Sequence, residues 1–146
     1  MHGLIYFVVE GEEEGDALAT AEEMVQKWLH SIDYYSMPDD EHFKDIWGDM
    51  KVIDADSEEG KRLLEDLIRG NKEALLIHFE NAKKEIEKGN YDIASYHLRM
   101  AGGHPYSMNA FFDPSEPLVD WKQIEHMKRY ISEGNKIWIV PVDIHY

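Results

Sequence analysis

The last eleven residues, Lys136 to Tyr146, restrict the fold most; they read KIWIVPVDIHY. In an extended chain the side chains alternate, so Trp138, Val140, Val142, Ile144 and Tyr146 share one side. That side is apolar and rich in β-branched and aromatic residues, which suits a strand. The other side carries Ile137, Ile139, Pro141, Asp143 and His145. It starts apolar and turns polar, like a face that begins under a cover and ends at a rim. Pro141 has no N–H for a ladder bond, which points to an edge, a bulge or a bend. The opening stretch, Gly3 to Glu10, places Leu4, Tyr6 and Val8 on one face and Ile5, Phe7 and Val9 on the other. Strands apolar on both faces are covered on both faces. The two ends of the chain are therefore expected to pair, with the middle folded over them.

A chain of 146 residues, 43% of them hydrophobic, can build one domain with a real core, and no linker or low-complexity stretch divides it. No apolar run approaches the roughly 18 residues that cross a bilayer. Leu4 to Val9 is too short for a signal-peptide core and lacks a basic leader. The expectation is a soluble cytoplasmic protein with no membrane contact. The absence of cysteine excludes disulfides, thiolate zinc sites and a cysteine nucleophile. Thirty Asp and Glu against 15 Lys and Arg give a formal net charge of −15. Such a surface repels phosphate backbones and anionic lipids, which excludes direct nucleic-acid binding. Solubility is the plain reading of that charge. The sharper one is an acidic decoy of nucleic acid that captures a basic partner.

Between the terminal strands the periodicity is largely helical. The turn GEEEGD leads to a helix over about Ala17 to His30, with Asp16 as N-cap and Leu18, Ala21, Val25, Trp28, Leu29 and Ile32 in its core stripe. Tyr34 and Tyr35 suit a short strand ended by Pro38, followed by a short helix from Glu41 to Trp47 that stops at Gly48. Met50 to Ile53 reads as another brief strand. A helix from Glu58 to Arg69 is capped by Asp56 or Ser57 and closed by Gly70-Asn71. A second follows from Lys72 to Lys88, with Leu75, Phe79, Ala82 and Ile86 on one face. A third spans Tyr91 to Ala101, with Ile93, Tyr96, His97 and Met100 inward. The short Gly89-Asn90 link makes these last two an antiparallel hairpin. The phrase EKGNYDIASYHL resembles one hairpin of a tetratricopeptide-type helical repeat. The resemblance covers that hairpin alone; repeat folds need about three units, so it implies a helix pair rather than a solenoid. Ser107 to Asp113 suits a strand between prolines, and Leu118 to Ser132 a last helix. The class is therefore α+β: a small mixed sheet containing the N- and C-terminal strands, covered by about five helices.

No phosphate-binding loop, GxSxG elbow or HExxH motif occurs, so no cofactor is called for; a divalent metal is the one candidate. Asp143 and His145 stand two apart on a strand and share a face, a spacing that suits metal ligands or an oriented acid–base pair. His104, in a loop freed by Gly102-Gly103 and Pro105, and Asp113, ending the adjacent predicted strand, complete this candidate set. The plainer reading is a polar strand end at a solvent rim. The aromatic residues Tyr34, Tyr35, Tyr106, Phe111 and Phe112 lie outside the helical stripes and suit partner binding, because rigid side chains lose little entropy. The expected function is a non-catalytic protein-interaction module. The alternative is a small metal-dependent hydrolase with its site at the end of the closing strand. Doubly apolar strands could also share a face with a second copy, so a homodimer is the expected assembly.

Overall fold

The computed structural model describes residues 1–101, 109–113, 116–118 and 121–146. In chain order the elements are β1 (His2–Glu10), α1 (Glu14–Gln26), β2 (Tyr34–Ser36), α2 (Glu41–Trp47), β3 (Ile53–Asp54), α3 (Glu58–Glu87), α4 (Tyr91–Ala101), β4 (Ala110–Asp113), β5 (Glu116–Pro117), α5 (Trp121–Ser132) and β6 (Ile137–His145). The fold is α+β. The terminal strands are neighbours: β1 and β6 pair antiparallel over nine positions, from His2 opposite His145 to Glu10 opposite Ile137. The sheet order is β2-β6-β1-β4-β5, and β3 also pairs with β6. Among the described residues only the β1–β4 pair is parallel.

Both faces of the terminal strands are covered within the chain. On one face Ile5, Phe7, Val9, Val140, Val142 and Ile144 pack with Ala17, Ala21, Val25 and Trp28 of α1 and the turn after it. Trp28 sits edge-on to Phe111 at 4.7 Å and tilted against Phe7 at 5.2 Å. On the other face Val8, Ile137 and Ile139 meet Leu64 and Leu67 of α3 and Ile124 and Met127 of α5. These helices account for the apolar pattern without a second copy.

Pro141 lies in the second strand of the sheet, and its missing donor is accommodated by the register. The Tyr6 N–H reaches Asn109, toward β4, so Tyr6 opposite Pro141 exchanges no bond with β6. Odd-numbered residues of β6 therefore turn their backbone away from β1, as Ile137 and His145 do in accepting from Ala55 and Asp33. On that side β3 stops at Ile139 and β2 begins at Asp143. The proline faces the gap between them.

Three local expectations are corrected. Asp16 is not the N-cap of α1: the helix starts earlier, behind Glu13, and the Asp16 carboxylate accepts the Glu13 backbone N–H at 3.2 Å. Leu29 lies beyond the end of α1 and is exposed. Gly70-Asn71 does not end a helix, for α3 runs unbroken for 30 residues. Asn71 is fully buried and acts as a clamp on β4. Its amide nitrogen donates to the carbonyls of Ala110 at 2.9 Å and Leu118 at 3.4 Å, and its oxygen accepts the Asn109 N–H at 2.9 Å. Ser57 caps α3 by accepting the Gly60 N–H at 3.0 Å.

The glycines of α3 make opposite predictions. A Cβ on exposed Gly70 would meet nothing within 4 Å, so Gly70→Ala should stabilise by about 0.5–1 kcal/mol through helix propensity. A Cβ on Gly60 would lie 2.0 Å from the Asp54 carbonyl oxygen. Gly60→Ala should therefore cost roughly 1–3 kcal/mol, and Asn71→Ala a similar roughly 1–3 kcal/mol for orphaned backbone partners. Urea unfolding midpoints of the three variants check the signs.

Candidate functional site

Thirty helical residues span about 45 Å, whereas a nine-residue strand spans about 30 Å. The first half of α3 lies on the sheet and buries Leu64, Leu67 and Asn71; beyond Asn71 the only fully covered side chain of α3 is Ala82. The second half is matched by α4, which packs back along it and buries only Ala94. The turn is made by Gly89 at φ +81, a conformation that favours glycine, and the Asn90 amide donates to Glu85 at 2.8 Å. Inside the seam the Nδ1 atoms of His78 and His97 lie 3.2 Å apart. One ring must be unprotonated there to accept the other's N–H.

The hairpin does not turn its apolar residues inward as the periodicity predicts. Phe79, Ile86, Ile93 and Tyr96 are about half exposed, and Leu76 and Tyr91 are exposed by 62% and 67%. Helical phase divides these side chains into two flanks. Leu76, Phe79 and Ile86 follow one another at helical spacing on one flank of α3, and Tyr91 and Leu98 are seven apart on α4. Because the helices are antiparallel and meet through Ala82 and Ala94, both sets lie on the same side of the hairpin. Ile77, Ile93 and Tyr96 lie on the opposite side.

At the far end of β6, Asp143 is fully buried rather than at a solvent rim. The cover is α2, which brings the Trp47 indole N–H to Asp143 Oδ1 at 2.8 Å. Ser36 Oγ is 3.4 Å from Oδ2, and His2 Nδ1 lies 3.0 Å from the same oxygen. His145 shares that face but is committed elsewhere: its Nδ1 meets Asp33 at 3.1 Å, and its ring stacks on Tyr34 at 4.6 Å. Asp113 ends β4, which adjoins β1 rather than β6. The parallel register carries it to the end of the sheet opposite Asp143. His104 and Tyr106 lie outside the described residues.

Of the aromatic residues expected to bind partners, Phe111 is fully buried in the cluster with Phe7 and Trp28 and is unavailable. Phe112 is half-buried against the His126 ring. Tyr35 is also half-buried; its hydroxyl donates to Glu22 at 2.9 Å and accepts from Gln26 at 3.0 Å. Burial, more than these bonds, pushes its phenol above the ordinary value. Tyr34 remains partly exposed. The exposed hairpin was missed because spacing shows that a helix has an apolar face, not whether anything covers it. No described helix is long and apolar enough to cross a membrane.

The family model described as Domain of unknown function (DUF7995) matches residues 1–146, and the chain belongs to that family. No curated protein and no solved structure matches it.

The histidine seam predicts a pH response. Burial pushes the His78 imidazole below its ordinary value, and the charge of His97 acts in the same direction. Glu85, also on α3, has its own carboxyl held low first by the Asn90 amide and also by Lys88 and His97. With a depressed folded value, the unfolded state binds more protons in mild acid. The stabilisation is full above the ordinary imidazole range and declines as pH falls below about 6.5. Amide exchange in α4, corrected for its intrinsic rate, should speed up relative to β6 between about pH 7 and about pH 5. His78→Gln should flatten that difference.

Proposed function

We propose that this DUF7995 chain is a non-catalytic protein-interaction module. It docks through the flank of the α3–α4 hairpin formed by Leu76, Phe79, Ile86, Tyr91 and Leu98, and the partner seated there is a second copy of the chain. The observation that carries this reading is the exposure of that flank, each residue being roughly half exposed or more. Taking about 200 Å² for a fully exposed large side chain, the flank presents roughly 500 Å² of apolar surface. At the roughly 60% apolar content of interfaces, this fits a footprint of about 800 Å² per partner, the standard size.

Charge favours self-association over other occupants. Residues 71–101 carry five Lys or Arg and five Asp or Glu, so the whole net charge of −15 lies outside the hairpin. A basic partner would be drawn to the acidic body. Two neutral hairpins can meet while the bodies point apart, forming a four-helix bundle about a two-fold axis. The acidic body also supports a second reading, the nucleic-acid decoy, which would use a different surface of the same chain.

Salt separates the two. Screening relieves repulsion between acidic bodies, so dimerisation should strengthen as salt is added, whereas capture of a basic partner should weaken. In sedimentation the 17.1 kDa chain should run as a dimer at micromolar concentration in high salt. The Phe79→Glu, Leu98→Glu double variant should run as a monomer with an unchanged helical spectrum. A wild-type monomer at every concentration and salt would sink the proposal, as would a double variant that dimerises equally well.

A further inference from the structure

We infer that His2, His42 and Asp143 together bind one divalent transition-metal ion. One ligand atom from each of the three lies within 4.8 Å of the others. They come from β1, α2 and β6, elements far apart in the chain that meet at one end of the sheet.

Part of the coordination geometry is already in place. Two donors held about 2.0–2.1 Å from a tetrahedral zinc stand about 3.3 Å apart. His2 Nδ1 and Asp143 Oδ2 are 3.0 Å apart, so a cation can take the place of the proton they share. The carboxylate is oriented by the Trp47 indole and the Ser36 hydroxyl, the outer-shell donors that a ligating carboxylate needs. It is fully buried, and among the described residues His2 is its ion-pair partner, with no Lys or Arg beside it.

His42 supplies the third ligand. It is the second residue of α2, exposed, and among the described residues its ring nitrogens make no hydrogen bond. Its ring lies 5.8 Å from that of His2 and 5.6 Å from that of Tyr34, and one of its nitrogens stands within 4.8 Å of the other two ligand atoms. His145, the neighbour of Asp143 on the strand face, is held by Asp33 and the Tyr34 ring and forms a wall instead.

The donor set selects the ion. Two imidazoles and one carboxylate suit zinc, manganese or ferrous iron, whereas magnesium and calcium prefer all-oxygen shells. Three protein ligands leave a coordination position open. The Tyr34 hydroxyl, 3.5 Å from His2 Nε2, and the exposed His42 border this end of the sheet. The bound ion would tie α2 to both terminal strands, so occupancy would also stabilise the fold.

The test is a titration of chelator-treated protein with cobalt(II), followed by the visible absorption of the bound ion and by the thermal midpoint. Wild type should saturate at one equivalent, show tetrahedral-type bands that zinc abolishes, and gain thermal stability. His2→Ala and His42→Ala should each bind at least about tenfold more weakly. His30→Ala, on the exposed turn after α1, should bind like wild type. Asp143→Asn alters a fully buried carboxylate and so perturbs folding as well as binding, but His42→Ala removes only a surface ring; its metal-free midpoint should equal that of wild type. No saturable binding at one equivalent overturns the inference. So does full affinity in either imidazole variant.

Discussion

The antiparallel ladder between β1 and β6 is the contact on which the other elements depend. It joins residues up to 143 positions apart in sequence and uses both strands along their whole length. Closing so long a chain is costly in entropy, although the cost grows only with the logarithm of length. The return is a two-strand platform apolar on both faces. Helix α1 covers one face and α3 with α5 the other, while β4 adds to the free side of β1. Without the platform none of these elements has a surface to pack on.

This dependence explains which parts of the molecule were legible in the sequence. Alternation in KIWIVPVDIHY and GLIYFVVE reports a local backbone state and which side chains share a face. The pairing of the ends, the α+β class and the helix pair follow from such patterns. The clamp at Asn71 does not, because its partners lie 38 to 47 residues away. An Asn after a Gly reads locally as a stop, and only the tertiary structure turns it into a buried bridge inside a continuous helix. Asp143 shows the same limit: its strand face was legible, but its cover, Trp47, is 96 residues distant. His2 and His42 carry no mutual spacing that could have grouped them with Asp143.

The chain also separates its two kinds of surface. Acidic groups dominate the body, while the hairpin balances its charges and leaves its apolar residues uncovered. Uniform acidity would keep all copies apart, and uniform apolarity would bring them together without orientation. Among the described residues, eight of the twelve exposed large apolar side chains lie on the two helices of the hairpin. The cluster under α2, by contrast, is polar: its buried carboxylate, Asp143, takes hydrogen bonds from Trp47, Ser36 and His2.

The gap opposite Pro141 has a consequence for colloidal behaviour. The most apolar strand of the protein could have been flanked by one long strand with a regular outer row of donors and acceptors. It is flanked by two fragments, two and three residues long, with an interruption that proline prevents from being bridged by a ladder bond. An edge in such short pieces is a poor template for strand addition by another chain. The discontinuity therefore works against fibril growth along this side of the sheet.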